Sequence, residues 1–247
     1  MIRYVIVFYL LIFIQNISVS QSKMRTLEEL INKDDPGWPL VKGWIDSAKN
    51  KVEILTVDTA KAKQALLETQ VTTRSPMGAI VYMTGGILVD NGWIRILGSG
   101  SARLNRSLPG WNKGKWLEDS TKQNGFLLVA DDAIGGFFIL NGGTFGDDIG
   151  KLYYFSPDNL EFEPMELTYT DFLFFCFSGN LDGFYKAYRW KNWQADVSIL
   201  DGNKVYNFFP PLWTKEVKDF NTHSRSPVPV EEQFFLNLDF RRQLSSK

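Results

Sequence analysis

The chain has 247 residues and a formal net charge of -1, so it has room for one large domain or two small ones and shows no electrostatic footprint for nucleic acid. Its single cysteine, Cys176, excludes an intrachain disulfide and thiolate zinc sites. Its single histidine, His223, leaves almost no material for imidazole-based catalysis or metal binding.

The first residues read as an export signal. Arg3 supplies the positive start, Tyr4 to Ile14 form an unbroken apolar run, and Ser18-Val19-Ser20 places small residues before a cleavage point. The run is shorter than the roughly 20 residues a membrane span needs. A signal peptide over 1–20 followed by one domain over 21–247 is therefore expected, with a periplasmic or secreted destination. The alternatives are an uncleaved anchor and a cytoplasmic protein starting at Met24, which opens MRTLEEL.

Thr26 and Glu29 match a capping box and predict a short helix to about Lys33. Asp35-Pro36 predicts a second helix carrying Trp38, Val41, Ile45 and Ala48 at helical spacing. A strand over 52–57 follows, then a helix capped by Asp58 and running to about Thr69, then a helix starting at Ser75-Pro76 and stopping at Gly85-Gly86. Two strands, 87–89 and 93–97, flank Asp90-Asn91-Gly92, residues that tolerate the positive φ of a hairpin turn.

A polar loop from Gly98 to Lys115 comes next, and loops of that length inside a domain are often functional. Its GSGSARLNRS segment lacks the P-loop ending, the GxGxxG spacing and the GxSxG register. Asn105-Arg106-Ser107 fits a glycosylation sequon.

The chain is organised around Gly125 to Pro157. Three apolar runs, 126–129, 137–140 and 152–155, are separated by turns rich in Asp, Gly and Asn, which predicts an antiparallel meander. Thr170-Asp171 then opens an apolar helix, Leu181 to about Trp190 reads as another, and Val205–Phe209 reads as a last strand before Pro210-Pro211. The segment from Glu231 to Leu244 mixes aromatic and charged residues without a clear period. The fold class is α+β: a mostly antiparallel sheet of about five or six strands with helices packed before and after it.

For function, the paired carboxylates Asp131-Asp132 and Asp147-Asp148 read first as turn residues, since aspartate bonds nearby backbone N–H groups. They are also the raw material for a second reading, a carboxylate-based hydrolase acting on a carbohydrate-like substrate, provided two of them face one cleft. The preferred reading is a non-enzymatic protein-binding domain. Its candidate contacts are Arg103, Arg106, Trp111 and Trp116 in the polar loop, with Asp131 and Asp132, because tryptophan and arginine concentrate binding energy at interfaces. Trp111 and Trp116 are expected at the surface, as is His223, and Cys176 is expected as inert core. No cofactor or metal is expected.

The segments WIRILGSGSARLNRSLPGWNKGK, GFLLVADDAIGGFFILNGG, KLYYFSPDNLEFEPMELTYTDFLFFCFSGNLDGFYKAYRW and SRSPVPVEEQFFLNLDFRRQL resemble a bacterial domain-of-unknown-function family, from Met24 to about Leu244. More distantly, Phe126–Leu140, with its Asp131-Asp132 and Gly135-Gly136 turn, and the helix at 169–177 are similar to the SUKH superfamily. That resemblance implies an α+β fold that binds other proteins, often as an immunity protein against a toxin.

Overall fold

The computed structural model describes residues 24–115, 117, 125–216 and 219–245. The expected signal peptide over 1–20 and Trp116 lie outside the described residues. Seven strands form one antiparallel sheet whose spatial order is its chain order: β1 (Val52–Ile54), β2 (Gly86–Val89), β3 (Ile94–Leu97), β4 (Phe126–Asp132), β5 (Phe137–Asn141), β6 (Lys151–Phe155) and β7 (Phe162–Thr168). A separate two-stranded ribbon pairs β8 (Lys204–Phe209) with β9 (Ser224–Pro229). The α+β class and the antiparallel meander hold, but the main sheet has seven strands where five or six were expected. The addition is β7, an edge strand with Pro164 inside it, and proline demotes a run to edge strand or loop when read from sequence alone.

The N-terminal helices are set by their caps. Thr26 and Glu29 make the reciprocal capping box of α1 (Leu27–Leu30). Asp58 accepts from the N–H groups of Ala60 and Lys61 at the start of α3 (Thr59–Thr69), and Ser75 caps α4 (Pro76–Met83). One start is displaced: α2 (Trp38–Asp46) begins after Gly37, with Pro39 in its first turn. Asp35 instead accepts from Arg74 Nε at 3.0 Å.

The β2–β3 connection has positive φ at Asp90 (53°), Asn91 (62°) and Gly92 (90°), the three residues expected to allow it. Val89 pairs with Ile94, so the connection is four residues long and Trp93 belongs to it, fully buried, instead of opening the strand.

Both faces of the sheet are covered, and two neighbouring residues of β5 show how. Successive side chains of a strand point to opposite faces. Phe137 packs at 5.0 Å from Phe234 of α9 (Val230–Ser245), while Phe138 packs at 4.8 Å from Phe172 of α6 (Tyr169–Ser178). The helix expected from Leu181 to Trp190 is only α7 (Leu181–Phe184), and α8 (Trp193–Ser198) follows it. The ambiguous tail is thus the longest described helix, with Val230, Phe234 and Leu238 buried against the sheet at spacings of four.

The expected polar loop after β3 sends several of its side chains inward. Ser99, Leu104, Arg106, Leu108 and Trp111 are all buried, and Ser107 caps a one-turn helix, α5 (Leu108–Asn112). Asn112 pins that turn to the sheet, accepting from Leu128 N and donating to Leu128 O, each at 2.8 Å.

Candidate functional site

Register brings the first pieces together. Arg95 sits directly opposite Asp131 across the β3–β4 ladder, and its guanidinium donates to Asp131 Oδ1 at 2.5 Å. Arg106, from the loop, donates to Asp131 Oδ2 at 2.5 Å and to Gly202 O at 2.9 Å. Arg95 also donates to the carbonyls of Asp132 and Lys204. Two guanidinium groups therefore share one carboxylate. The side chains are 3%, 8% and 0% exposed for Arg95, Arg106 and Asp131. Burial pushes the Arg95 guanidinium below its ordinary range, opposed by Asp131 and reinforced by the charge of Arg106.

Asp132 is the next residue of the same strand and points to the other face. Its carboxylate accepts from Ile134 N, Gly136 N, Tyr154 Oη and Tyr185 Oη at 3.1, 2.8, 2.7 and 3.0 Å. Burial pushes its carboxyl up from the ordinary carboxylate range, against the pull of these four donors. The two aspartates thus tie the end of β4 to different layers, one to the loop and the β8–β9 ribbon, the other to β6 and α7.

Arg106 and Trp111 also line a cavity of about 440 Å³ bounded by Ser107, Lys113, Lys115 and Glu231. Lys115 Nζ lies 3.8 Å from the Trp111 ring centroid and 2.9 Å from Glu231 Oε1, with only 4% of its side chain exposed. The Arg106 guanidinium carbon is 4.6 Å from the same ring. The tryptophan is a floor on which two cations rest. Arg106 Nε and Trp111 Nε1 are enclosed and have no hydrogen-bond partner among the described residues.

These positions correct several expectations. Asp131 and Asp132 lie in a strand end, fully buried and consumed by internal bonds, so neither reaches a partner's surface. Trp111 is 5% exposed and Arg106 is 9% exposed, so both serve the interior and the cavity wall instead of an open face. Arg103 is exposed and pairs with Glu53, itself half exposed. Trp116 lies outside the described residues.

Asp131 and Asp148, one of the pairings a hydrolase would need, stand at different levels of the sheet. Asp131 stands level with Phe137, whereas Asp148 is held by Asn141, at the other end of β5, and by Tyr153. Four residue steps of about 3.3 Å put roughly 13 Å between those levels, beyond the 9.5 Å or so of an inverting glycosidase pair. Both arginines hold Asp131 as an ion-pair partner, which further removes it from acid–base work.

His223, expected at the surface, is 9% exposed and packs its ring against Phe208 and Phe220, with Nε2 at 2.7 Å from Pro210 O. Cys176 is fully buried, and burial pushes its thiol well up, as expected of inert core. Sequence reading passed over Arg95, Lys113, Lys115 and Glu231. The signal for Arg95 was available: a lone cation inside the apolar run Ile94–Leu97 needs a buried counter-charge.

Among the described residues no helix is long and apolar enough to cross a membrane. A family described as "Protein of unknown function DUF2625" matches residues 27–233. The chain is 43% identical over 214 residues to an uncharacterized protein of Haemophilus influenzae (strain ATCC 51907 / DSM 11121 / KW20 / Rd), covering 87% of this chain and 94% of that protein. It is also 43% identical over 192 residues to the putative uncharacterized protein YbfG of Escherichia coli (strain K12), covering 78% of this chain and 87% of that one. These matches do not bear on the SUKH likeness.

Proposed function

As the chain belongs to the DUF2625 family, whose description states no activity, we propose from its own geometry that it is a non-enzymatic domain that binds another protein. The observation that carries this reading is the cavity beside α5, where Arg106, Lys113 and Lys115 surround a buried tryptophan. Cations gathered in a concave site suit recognition. Of the groups that would serve covalent or acid–base chemistry, Cys176, Asp131, Asp132 and His223 are each within the interior.

The binding contact is narrower than the loop as a whole. It consists of the cavity rim from Asn105 to Lys115 together with the start of α9, and Arg103 is an exposed flank of it. An immunity-like role is the form of this reading that the SUKH resemblance implies. Export belongs to the same reading and is supported by the Arg3, apolar-run and Ser18-Val19-Ser20 pattern at the N-terminus.

The test is affinity capture with the tagged chain from native envelope and soluble fractions, read by mass spectrometry. The wild-type chain is expected to enrich a defined protein over the tag alone, and Lys113→Glu, a charge reversal at the exposed lysine of the cavity wall, is expected to lose it at an unchanged melting temperature. Absence of any wild-type enrichment in both fractions contradicts the reading.

A further inference from the structure

We propose that the cavity between α5 and the start of α9 binds an anionic oxygen group, a carboxylate or a phosphate. The inference rests on the binding reading above and names the chemistry of its ligand.

Among the described residues the charges lining the cavity do not balance. Arg106, Lys113 and Lys115 face one carboxylate, Glu231, and Asp131 behind them is shared between Arg106 and Arg95. Asp131 is fully committed to two arginines. Glu231 is 60% exposed, so water screens its pairing with the nearly enclosed Lys115. Lys113 has no ion-pair partner among the described residues and lines the cavity. Lys113 is exposed and screened by water, whereas Arg106 and Lys115 are nearly enclosed and screened less, so they carry most of the attraction for an anion.

The remaining chemistry agrees on sign. Arg106 Nε and Trp111 Nε1, which lack acceptors among the described residues, are sealed from solvent, so they add positive potential behind the wall and no direct contact. The face of Trp111 is already taken by Lys115 and Arg106, which leaves no aromatic platform for a cationic ligand. A volume of about 440 Å³ holds a small charged group with its immediate substituent. Arginine and lysine together serve either a carboxylate or a phosphate, and these have distinct sources: an acidic side chain or chain terminus in one case, a phosphorylated molecule in the other.

The test is isothermal titration of the full chain with inorganic phosphate and, separately, with succinate, both at fixed ionic strength against chloride. At least one anion is expected to bind saturably, and the tighter one identifies the source. Lys113→Ala/Lys115→Ala should weaken that binding at least tenfold, whereas Lys186→Ala, exposed and outside the cavity lining, should leave it within twofold. Lys115→Met, which keeps the stem over Trp111, serves if the double variant melts early, and should weaken binding severalfold. Saturable binding of neither anion, or equal binding by the lysine variants, overturns the proposal. If partner capture succeeds while anion titration fails, only this inference falls. If an anion binds but no protein is captured, the protein-binding reading falls and the site remains one for a small anion.

Discussion

Arg106 and Asp131 are 25 residues apart in the chain and 2.5 Å apart in the interior. That contact fastens the loop after β3 to the end of β4; Arg106 also reaches Gly202 O, and Arg95, on the same carboxylate, reaches Lys204 O in the ribbon beyond. Asp131→Ala would leave two enclosed guanidinium groups facing each other without a counter-charge. Breaking a buried ion pair from one side costs about 3–5 kcal/mol. Urea denaturation should show a loss in that range, large enough to consume much of a typical stability of roughly 5–15 kcal/mol. Arg106→Met, which removes one of the two competing cations and keeps the stem, should lose less than Asp131→Ala.

Asp132→Ala acts on the opposite face. It would strip acceptors from two backbone N–H groups and two tyrosine hydroxyls, all enclosed. Each unsatisfied buried polar group costs about 1–3 kcal/mol, so this variant should be the less stable of the two alanine variants at the β4 end. Equal or higher stability than Asp131→Ala would contradict the assignment of Asp132 as the tie to β6 and α7.

The two tyrosines give a pH signature. Burial first, and then the charge of Asp132, hold the hydroxyls of Tyr154 and Tyr185 well above the ordinary tyrosine value of 10.0. A raised folded value means that the folded state keeps a proton the unfolded state releases. Stability is therefore fully present below pH 10 or so and falls as pH rises beyond it. Thermal unfolding followed from pH 8 to 12 should show that fall, and Tyr154→Phe should flatten it at the cost of lower stability at pH 8.

Cys176 is fully enclosed and its thiol is pushed well up by burial. Only the thiolate reacts with aromatic disulfide reagents. Such a reagent should leave the folded chain unmodified over hours at pH 8 and modify one thiol per chain in denaturant. Prompt reaction of the folded chain would show that α6 opens readily.

Arg103→Ala should change little. The pair with Glu53 is about half exposed on both sides, and such pairs contribute about 0–1 kcal/mol. The contrast with the Arg106 variant separates two loop arginines that look alike in sequence.

Local signals carried most of the fold. Capping residues at Thr26, Asp58 and Ser75 place three helices, and the apolar runs between Gly-rich turns place β4, β5 and β6. The misplaced parts depend on tertiary context. β7 is a strand because β6 offers it an edge, even with a proline inside. The GSGSARLNRS loop looks solvated by composition, yet Arg106 and the following Trp111 go inward because Asp131 and the α9 face meet them there. Asp131 and Asp132 look alike in sequence, and only strand alternation sends them to different layers. The cavity was the least legible feature, since Lys115 and Glu231 are 116 residues apart.

We propose that a partner meets the chain at the cavity beside α5. A photo-crosslinking amino acid at Lys113, on the cavity wall, should trap a defined protein in living cells, while the same residue at Lys186, exposed after α7, should not. Adducts of equal yield at both positions, or at Lys186 alone, would contradict it.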